Sequence, residues 1–231
     1  SEVECLVPDI TGNARGKFIP ANKFVKEDSR LPEGILAQTV TGEYSDDFWE
    51  LLGTVDGDML LEPDPSTMRE VPWANEATVQ IIHDCFTKDG KPHPFSSRNV
   101  LKRILALYEA KGLKPVIAPE VEFYLIEKNI DPDSALKPPI GRSGRHETAR
   151  QSYSIDAANE FEDFVETMYS YGGAMGLDLD TLIHESGAAQ LEVNFIHGDP
   201  LDLADQVFTF KRLARDAALK HNIYPTLMAK P

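Results

Sequence analysis

Ala118-Pro-Glu-Val-Glu-Phe-Tyr-Leu125 and His184-Glu-Ser-Gly-Ala-Ala-Gln-Leu-Glu-Val-Asn-Phe195 are the two stretches on which the reading of this chain turns. Val121 to Glu127 is rich in aromatic and aliphatic residues and predicts a strand. Side chains alternate along a strand, so Glu120 and Glu122 share one face. Leu177 to Ile183 and Leu191 to Ile196 predict two more strands, joined by the small-residue turn Ser186-Gly187-Ala188-Ala189. That hairpin brings Glu185 and Glu192 to adjacent strand ends. Carboxylates gathered on one sheet repel one another and retain protons unless cations neutralise them. Hard oxygen ligands of this kind suit magnesium or manganese, and phosphate chemistry is their natural use. A Glu-x-Glu pair by itself is more often a solvated face. The second pair alters that reading, because Glu185 and Glu192 stand among Gly, Ala and apolar residues, where an unpaired charge is costly.

The 231 residues are 42% hydrophobic, enough to bury a sizeable core in one large domain or two small ones. No run of 18 apolar residues occurs, and Ser1-Glu-Val-Glu-Cys-Leu-Val-Pro-Asp9 lacks the basic and apolar regions of a signal peptide, so a cytoplasmic location is expected. Cys5 and Cys85 fall at no metal or redox spacing and are expected to be small core residues. A net charge of −15 argues against nucleic acid and anionic membranes as partners.

The chain reads as α+β, in two parts. Residues 1–88 predict strands over 4–8, 17–20, 34–40, 58–62, 68–72 and 77–86, separated by turn signals such as Pro63-Asp64-Pro65-Ser66. Thr87-Lys-Asp-Gly-Lys-Pro-His-Pro94 marks a boundary, and over 89–231 helix and strand patterns alternate. Ser97 is expected to cap a helix with Val100, Leu101, Ile104, Leu105 and Tyr108 on one inward face. Asp156 is expected to cap a second, with Phe161, Phe164, Val165, Met168 and Tyr171 inward and Gly176 past its end. Asp199 with Pro200 opens a third, running to about Lys220. Residues 129–150 read as a linker, with a mobile flap as the alternative.

Taken in order, several stretches resemble the successive signatures of the glutamine synthetase superfamily. They are Asp9-Ile-Thr-Gly-Asn-Ala-Arg-Gly-Lys17, Glu62-Pro-Asp-Pro-Ser-Thr67 with Pro72-Trp73, Ala118 to Leu125, His184 to Glu192 and Thr226-Leu-Met-Ala-Lys-Pro231. The resemblance implies an N-terminal β-grasp domain followed by the first part of a catalytic domain built on a curved antiparallel sheet. In that family about as much catalytic chain again follows the Ala-Lys-Pro segment, carrying further metal ligands and the arginines that hold substrate and nucleotide. It implies that Glu122, Glu185 and Glu192 serve one metal position and Glu120 the other, with magnesium or manganese bound and ATP as co-substrate. His184 is expected to pack or to support a neighbouring ligand, not to bind metal itself. Asp180 and His197 stand at positions that contact the nucleotide, although neither residue type is retained, and Tyr153 is a weaker match to a tyrosine near the glutamate site.

The chemistry so implied is ligation of the glutamate γ-carboxyl to an amine through a γ-glutamyl phosphate. Ammonia-using members carry Phe-Asp-Gly-Ser-Ser in the N-terminal domain, whereas this chain has Thr41-Gly-Glu-Tyr-Ser-Asp-Asp-Phe-Trp-Glu50, with Asp58 matching a later acidic position. That pattern looks more like γ-glutamylpolyamine and γ-glutamylalkylamide synthetases, so an organic amine is expected. Glu43, Asp46 and Asp47 are candidates to pair with an ammonium group, and Tyr44, Phe48 and Trp49 to supply apolar surface. Glutamine synthetase proper and a non-catalytic assembly protein are the alternatives. Relatives form homo-oligomers, typically two stacked six-membered rings with active sites between subunits.

Overall fold

Nearly unbroken burial marks the two central strands of the first sheet. The computed structural model describes residues 1–24, 29–44, 47–53 and 55–231. They fall into two units, residues 1–116 with 199–208 and residues 117–198 with 209–231. In the first unit the elements are β1 (Glu2–Pro8), β2 (Ala14–Pro20), α1 (Ala21–Phe24), β3 (Ser29–Pro32), α2 (Phe48–Leu52), β4 (Asp58–Pro63), β5 (Arg69–Glu70), β6 (Thr78–Phe86) and α3 (Ser97–Glu109). The sheet order is β2-β1-β6-β4-β3, with β5 also on β6. The β1–β6 pair is parallel and the others are antiparallel. β1 and β6 are covered on both faces and so carry apolar runs instead of strict alternation. Val7, Leu36, Met59, Leu61 and Cys85 form one core cluster, and Val3, Cys5, Ile19 and Ile81 another. Burial pushes the Cys5 thiol up to about 11 and the Cys85 thiol up to about 12, which leaves both as unreactive core residues.

Several expectations for this unit need correction. Residues 34–40 are not a strand, because Glu33–Ala37 winds into a turn of 3-10 helix after Pro32, with the Gly34 N–H donating to Asp56 Oδ1 at 2.9 Å. A short apolar run does not distinguish helix from strand. The strand over 68–72 shrinks to Arg69–Glu70, and Ser29–Pro32 forms a strand on β4 that the pattern did not announce. The cap of α3 is Ser96, one residue earlier than expected, its Oγ accepting from the Asn99 N–H. Moreover, the buried residues of α3 are Arg98 and Asn99, while Val100, Ile104, Leu107 and Tyr108 are 36–58% exposed.

Polar contacts, not the apolar stripe, seat α3 in its unit. Asn99 Nδ2 donates to the Cys85 carbonyl at 2.7 Å. Arg98, with only 3% of its side chain exposed, binds Asp64 at 2.6 Å, Asp84 at 2.5 Å and Asp205 at 2.9 Å, and Lys102 also reaches Asp84. Burial opposes the guanidinium charge, but hydrogen bonds and attraction from the three aspartates outweigh it and hold the group well above its ordinary range.

The second unit comprises β7 (Glu120–Glu127), α4 (Ile155–Asn159), α5 (Glu162–Met175), β8 (Leu179–His184), β9 (Gln190–Phe195), α6 (Pro200–Lys220, whose first residues belong to the first unit) and β10 (Ile223–Thr226). Its sheet is antiparallel throughout, in the order β10-β7-β9-β8. Phe123 packs on Phe164 and Phe210 with ring centroids 6.0 Å apart, and Phe195 meets Phe210 edge-on at 5.6 Å. Each such buried ring contributes on the order of 1.5–3 kcal/mol. Ser154, not Asp156, caps the expected second helix, and the chain breaks at Phe161 into α4 and α5. Gly176 ends α5 in the left-handed conformation at φ 64°, as its position after the last apolar residue predicts. The segment before α4 is more than a spacer. Glu127 donates to the Lys137 carbonyl, Ile140 bridges to His146, and Arg142 pairs with Glu162 at 2.7 Å.

Replacing Arg98 by Met would leave three aspartates facing one another without their shared cation. The substitution is expected to lower stability by about 3–5 kcal/mol, read as a fall in melting temperature. Although burial works the other way, hydrogen bonds from Ser66 and Arg98 hold the Asp64 carboxyl down at about 2 against an ordinary 3.8. Its contribution is therefore complete above roughly pH 4 and lost as pH falls through about 2, and Arg98→Met should flatten that part of the acid-unfolding curve.

Candidate functional site

Antiparallel pairing of β7 with β9 sets Glu122 directly opposite Glu192, and Glu120 opposite Asn194. Directly paired residues share a face, and residues two apart on a strand return to it. Val121, Phe123, Leu191, Val193 and Phe195 are thereby buried on one side, and Glu120, Glu122, Gln190, Glu192 and Asn194 are gathered on the other. Glu185 lies just past the end of β8, its N–H donating to the Gln190 carbonyl at 2.8 Å, which brings it level with that polar row. The four glutamates expected from sequence thus belong to one face.

Their mutual charge is felt most at Glu192, which is only 8% exposed. Burial pushes its carboxyl up, a hydrogen bond from Asn194 pulls it back, and Glu120, Glu185 and Glu122 push it up further. Neighbouring amides orient the acids. Asn194 Nδ2 donates to Glu192 Oε1 at 2.9 Å, Thr181 donates to Asn194 Oδ1 at 2.6 Å, and Gln190 Nε2 donates to Glu122 Oε2 at 2.7 Å. Gln190 also accepts from the Gly187 N–H at 2.8 Å, so one side chain fixes both Glu122 and the hairpin turn. A Cβ at Gly187 would lie 2.4 Å from the Tyr124 ring and 2.8 Å from Gln190 Oε1, so a larger residue there would displace those side chains.

Among the described residues, no three His, Cys, Asp or Glu side chains are set as a closed metal-binding group. Glu122 is engaged by Gln190, and Glu185 Oε2 accepts from the Ser186 N–H at 2.9 Å. The donors are nevertheless all carboxylate oxygens around a carboxylate that its neighbours disfavour as an anion, and that chemistry fits a hard divalent cation.

The remaining expected residues lie elsewhere. His184 pairs with Leu191 across the hairpin and so points to the apolar side, where it is buried. Asp180 is exposed in β8 beside a register shift between Leu179 and Leu182, and His197 is exposed just past β9. Tyr153 is 72% exposed and held at φ 60°, its N–H donating to the His184 carbonyl. Asp58 belongs to the first unit, exposed at the head of β4 opposite Pro32. In the expected amine loop, Asp46 lies outside the described residues and Glu43 accepts from Thr41 at 3.2 Å. Tyr44, Phe48 and Trp49 cluster with ring centroids 4.8–5.6 Å apart, Phe48 buried and the other two partly open. Gln190 and Asn194 were missed, although their spacing of two from Glu192 was a sufficient signal. Glu147, which reaches this hairpin from 37 residues before His184, had none.

The family profile of the glutamine synthetase catalytic domain matches residues 94–231. The chain belongs to the glutamine synthetase family. It is 32% identical to a glutamine synthetase of Pyrococcus horikoshii over 99% of this chain and 47% of that protein. It is 30% identical to the γ-glutamylputrescine synthetase PuuA of Escherichia coli, over 99% of this chain and 49% of that one. A solved structure described as GmaS without ligand superposes with a TM-score of 0.80 at 26% identity, covering 100% of this chain and 50% of that one. The chain spans about half the length of the curated relatives it matches. Within the family, it is about as similar to a glutamine synthetase as to a γ-glutamylamine synthetase. No helix among the described residues is long and apolar enough to cross a membrane.

The charge crowding at Glu192 gives a direct expectation. Its carboxyl is raised in the folded state, so ionisation weakens the fold at neutral pH, and that penalty fades as pH falls through the raised value towards an ordinary 4.5. In a metal-free buffer, Glu192→Gln should therefore raise the melting temperature at pH 7, and the gain should disappear near pH 4.

Proposed function

We propose that this chain is part of an ATP-dependent ligase that joins the glutamate γ-carboxyl to an amine through a γ-glutamyl phosphate, with an organic amine as the favoured acceptor. The reading is carried by the shared face of Glu120, Glu122, Glu185 and Glu192 in a chain of the glutamine synthetase family. These carboxylates would hold magnesium or manganese, Glu122, Glu185 and Glu192 at one position and Glu120 at the other. When bound, such cations offset charge on transferring phosphoryl groups. The chain's own residues keep the acids apart and aimed, Gln190 on Glu122 and Asn194 on Glu192. ATP is needed because a carboxylate is a poor electrophile and its oxygen a poor leaving group, whereas phosphate leaves readily.

By position in the family pattern, Asp180 and His197 are assigned to the nucleotide and Asp58 to the amine. Residues 1–88 are assigned to a β-grasp domain and 89–231 to part of the catalytic domain. The protein would act in the cytoplasm as a ring-forming homo-oligomer in which residues 43–58 serve a neighbouring subunit. The organic-amine preference is supported by the absence of Phe-Asp-Gly-Ser-Ser and by the half-open rings of Tyr44 and Trp49. An ammonium ion needs a tight anionic site, and an alkylamine adds apolar surface to be covered.

Two measurements on the protein at its natural length decide the matter. Glu122→Gln should abolish ATP-dependent phosphate release and weaken manganese affinity, since an amide cannot offset cation charge, and a fully active variant would remove the site assignment. In an amine panel scored by phosphate release, kcat/KM for putrescine or a short monoamine should exceed that for ammonium by roughly tenfold, about 1.4 kcal/mol of discrimination. Equal efficiency would return the protein to the ammonia users, and no release with any amine would favour a non-catalytic assembly role.

A further inference from the structure

The turn that separates Glu185 from Glu192 does not hold its shape unaided. Ala189, fully buried, sits at φ 54°, a left-handed conformation that a residue with a Cβ adopts only when its surroundings impose it. Its carbonyl accepts from the Leu125 N–H at 2.9 Å. Its N–H points out of the hairpin and donates to Glu147 Oε2 at 3.1 Å. The same oxygen lies 3.0 Å from Nε2 of His184, whose Nδ1 lies 2.7 Å from the Glu185 carbonyl. One oxygen thus grips the last residue of the turn and, through the His184 ring, the residue at its start. Neighbours of Glu147 reinforce the contact, since Tyr153 donates to the His184 carbonyl at 2.8 Å and Ser152 to Ser186 Oγ at 3.1 Å. The Glu147 side chain is 10% exposed, and among the described residues its Oε1 is buried without a hydrogen-bond partner. A carboxylate so placed costs desolvation, and its two contacts are the visible return.

We propose that Glu147 is a positioning residue for the carboxylate face, its Oε2 clamping the left-handed turn that sets the spacing of Glu185 from Glu192. This rests on the metal-binding reading above but makes a separate demand on the protein. The Ala189 N–H needs only an acceptor oxygen, which an amide supplies as a carboxylate does; the His184 contact, in which Nδ1 already donates to the Glu185 carbonyl and Nε2 must donate as well, suits a carboxylate better than an amide. Glutamine should therefore retain the grip on Ala189 that alanine loses, while keeping less of the His184 contact.

The test compares Glu147→Ala and Glu147→Gln with the unaltered protein at its natural length, using thermal melting to establish that each is folded. Amide hydrogen exchange of the peptide spanning residues 184–192 is read first, without metal. Exchange there should speed up at least tenfold in Glu147→Ala and by clearly less in Glu147→Gln, with distant peptides unchanged. Manganese affinity, read by titration under paramagnetic resonance, should fall at least tenfold in Glu147→Ala and by clearly less in Glu147→Gln. A folded Glu147→Ala protein with unaltered exchange and unaltered manganese affinity would overturn the proposal, as would equal loss in both variants. If the unaltered protein binds no manganese, the metal reading fails, and the exchange arm still decides whether Glu147 holds the turn.

Discussion

Period-two alternation on a pair of strands, with one side committed to a core, is the constraint from which the site follows. Phe123, Leu191, Val193 and Phe195 must be buried together, and Phe210 of α6 and Phe164 of α5 close over that side. Once they are, Glu122 and Glu192 share the opposite face, since a slip of one residue in either strand would turn that strand's acids towards the aromatic core. The apolar side thus forces together charges that would otherwise separate. The fold tolerates the crowding through amide donors on the same row and through the partial exposure that Glu120 and Glu122 retain.

The first unit solves a related problem differently. Asp64, Asp84 and Asp205 come from a turn, a strand and a helix, and a single guanidinium with its five donors in a planar fork satisfies all three. Here like charges are drawn together around a cation that belongs to the chain. On the β7–β9 face, neutral amide side chains meet Glu122 and Glu192, Gln190 donating to the one and Asn194 to the other. The contrast separates an acidic cluster held by a cation of the chain from one oriented by neutral amides.

Much of this was legible from residue order. Glu120 and Glu122, spaced by two in an aromatic run, and Glu185 and Glu192, flanking a small-residue turn, announced a common face because strand geometry is local. The starts of the three expected helices were placed for the same reason, to within a residue or two at their caps, whereas the short α1 and α2 and the break between α4 and α5 were not. The seating of α3 was not legible, because its apolar stripe argued for one inward face while Arg98 and Asn99 found stronger partners in distant segments. Nor was Glu147, whose role depends on a contact across a long irregular segment and on the left-handed turn at Ala189. Local periodicity reveals which face a side chain takes; it is silent about which remote group will meet it.

The open stripe of α3 has a bearing on colloidal behaviour. Val100, Ile104, Leu107 and Tyr108 recur at helical spacing and present a continuous oily ridge to solvent in the chain as described. A net charge of −15 opposes sticking of such ridges, because approaching molecules repel. That protection is electrostatic in origin and therefore short-ranged in brine, where the screening length drops to about 3 Å at 1 M salt. Concentrated salt would both mute the repulsion and, with sulfate or phosphate as the anion, strengthen the drive to hide the ridge. Low ionic strength thus favours dispersion of this polypeptide, because it preserves the repulsion that keeps such ridges apart.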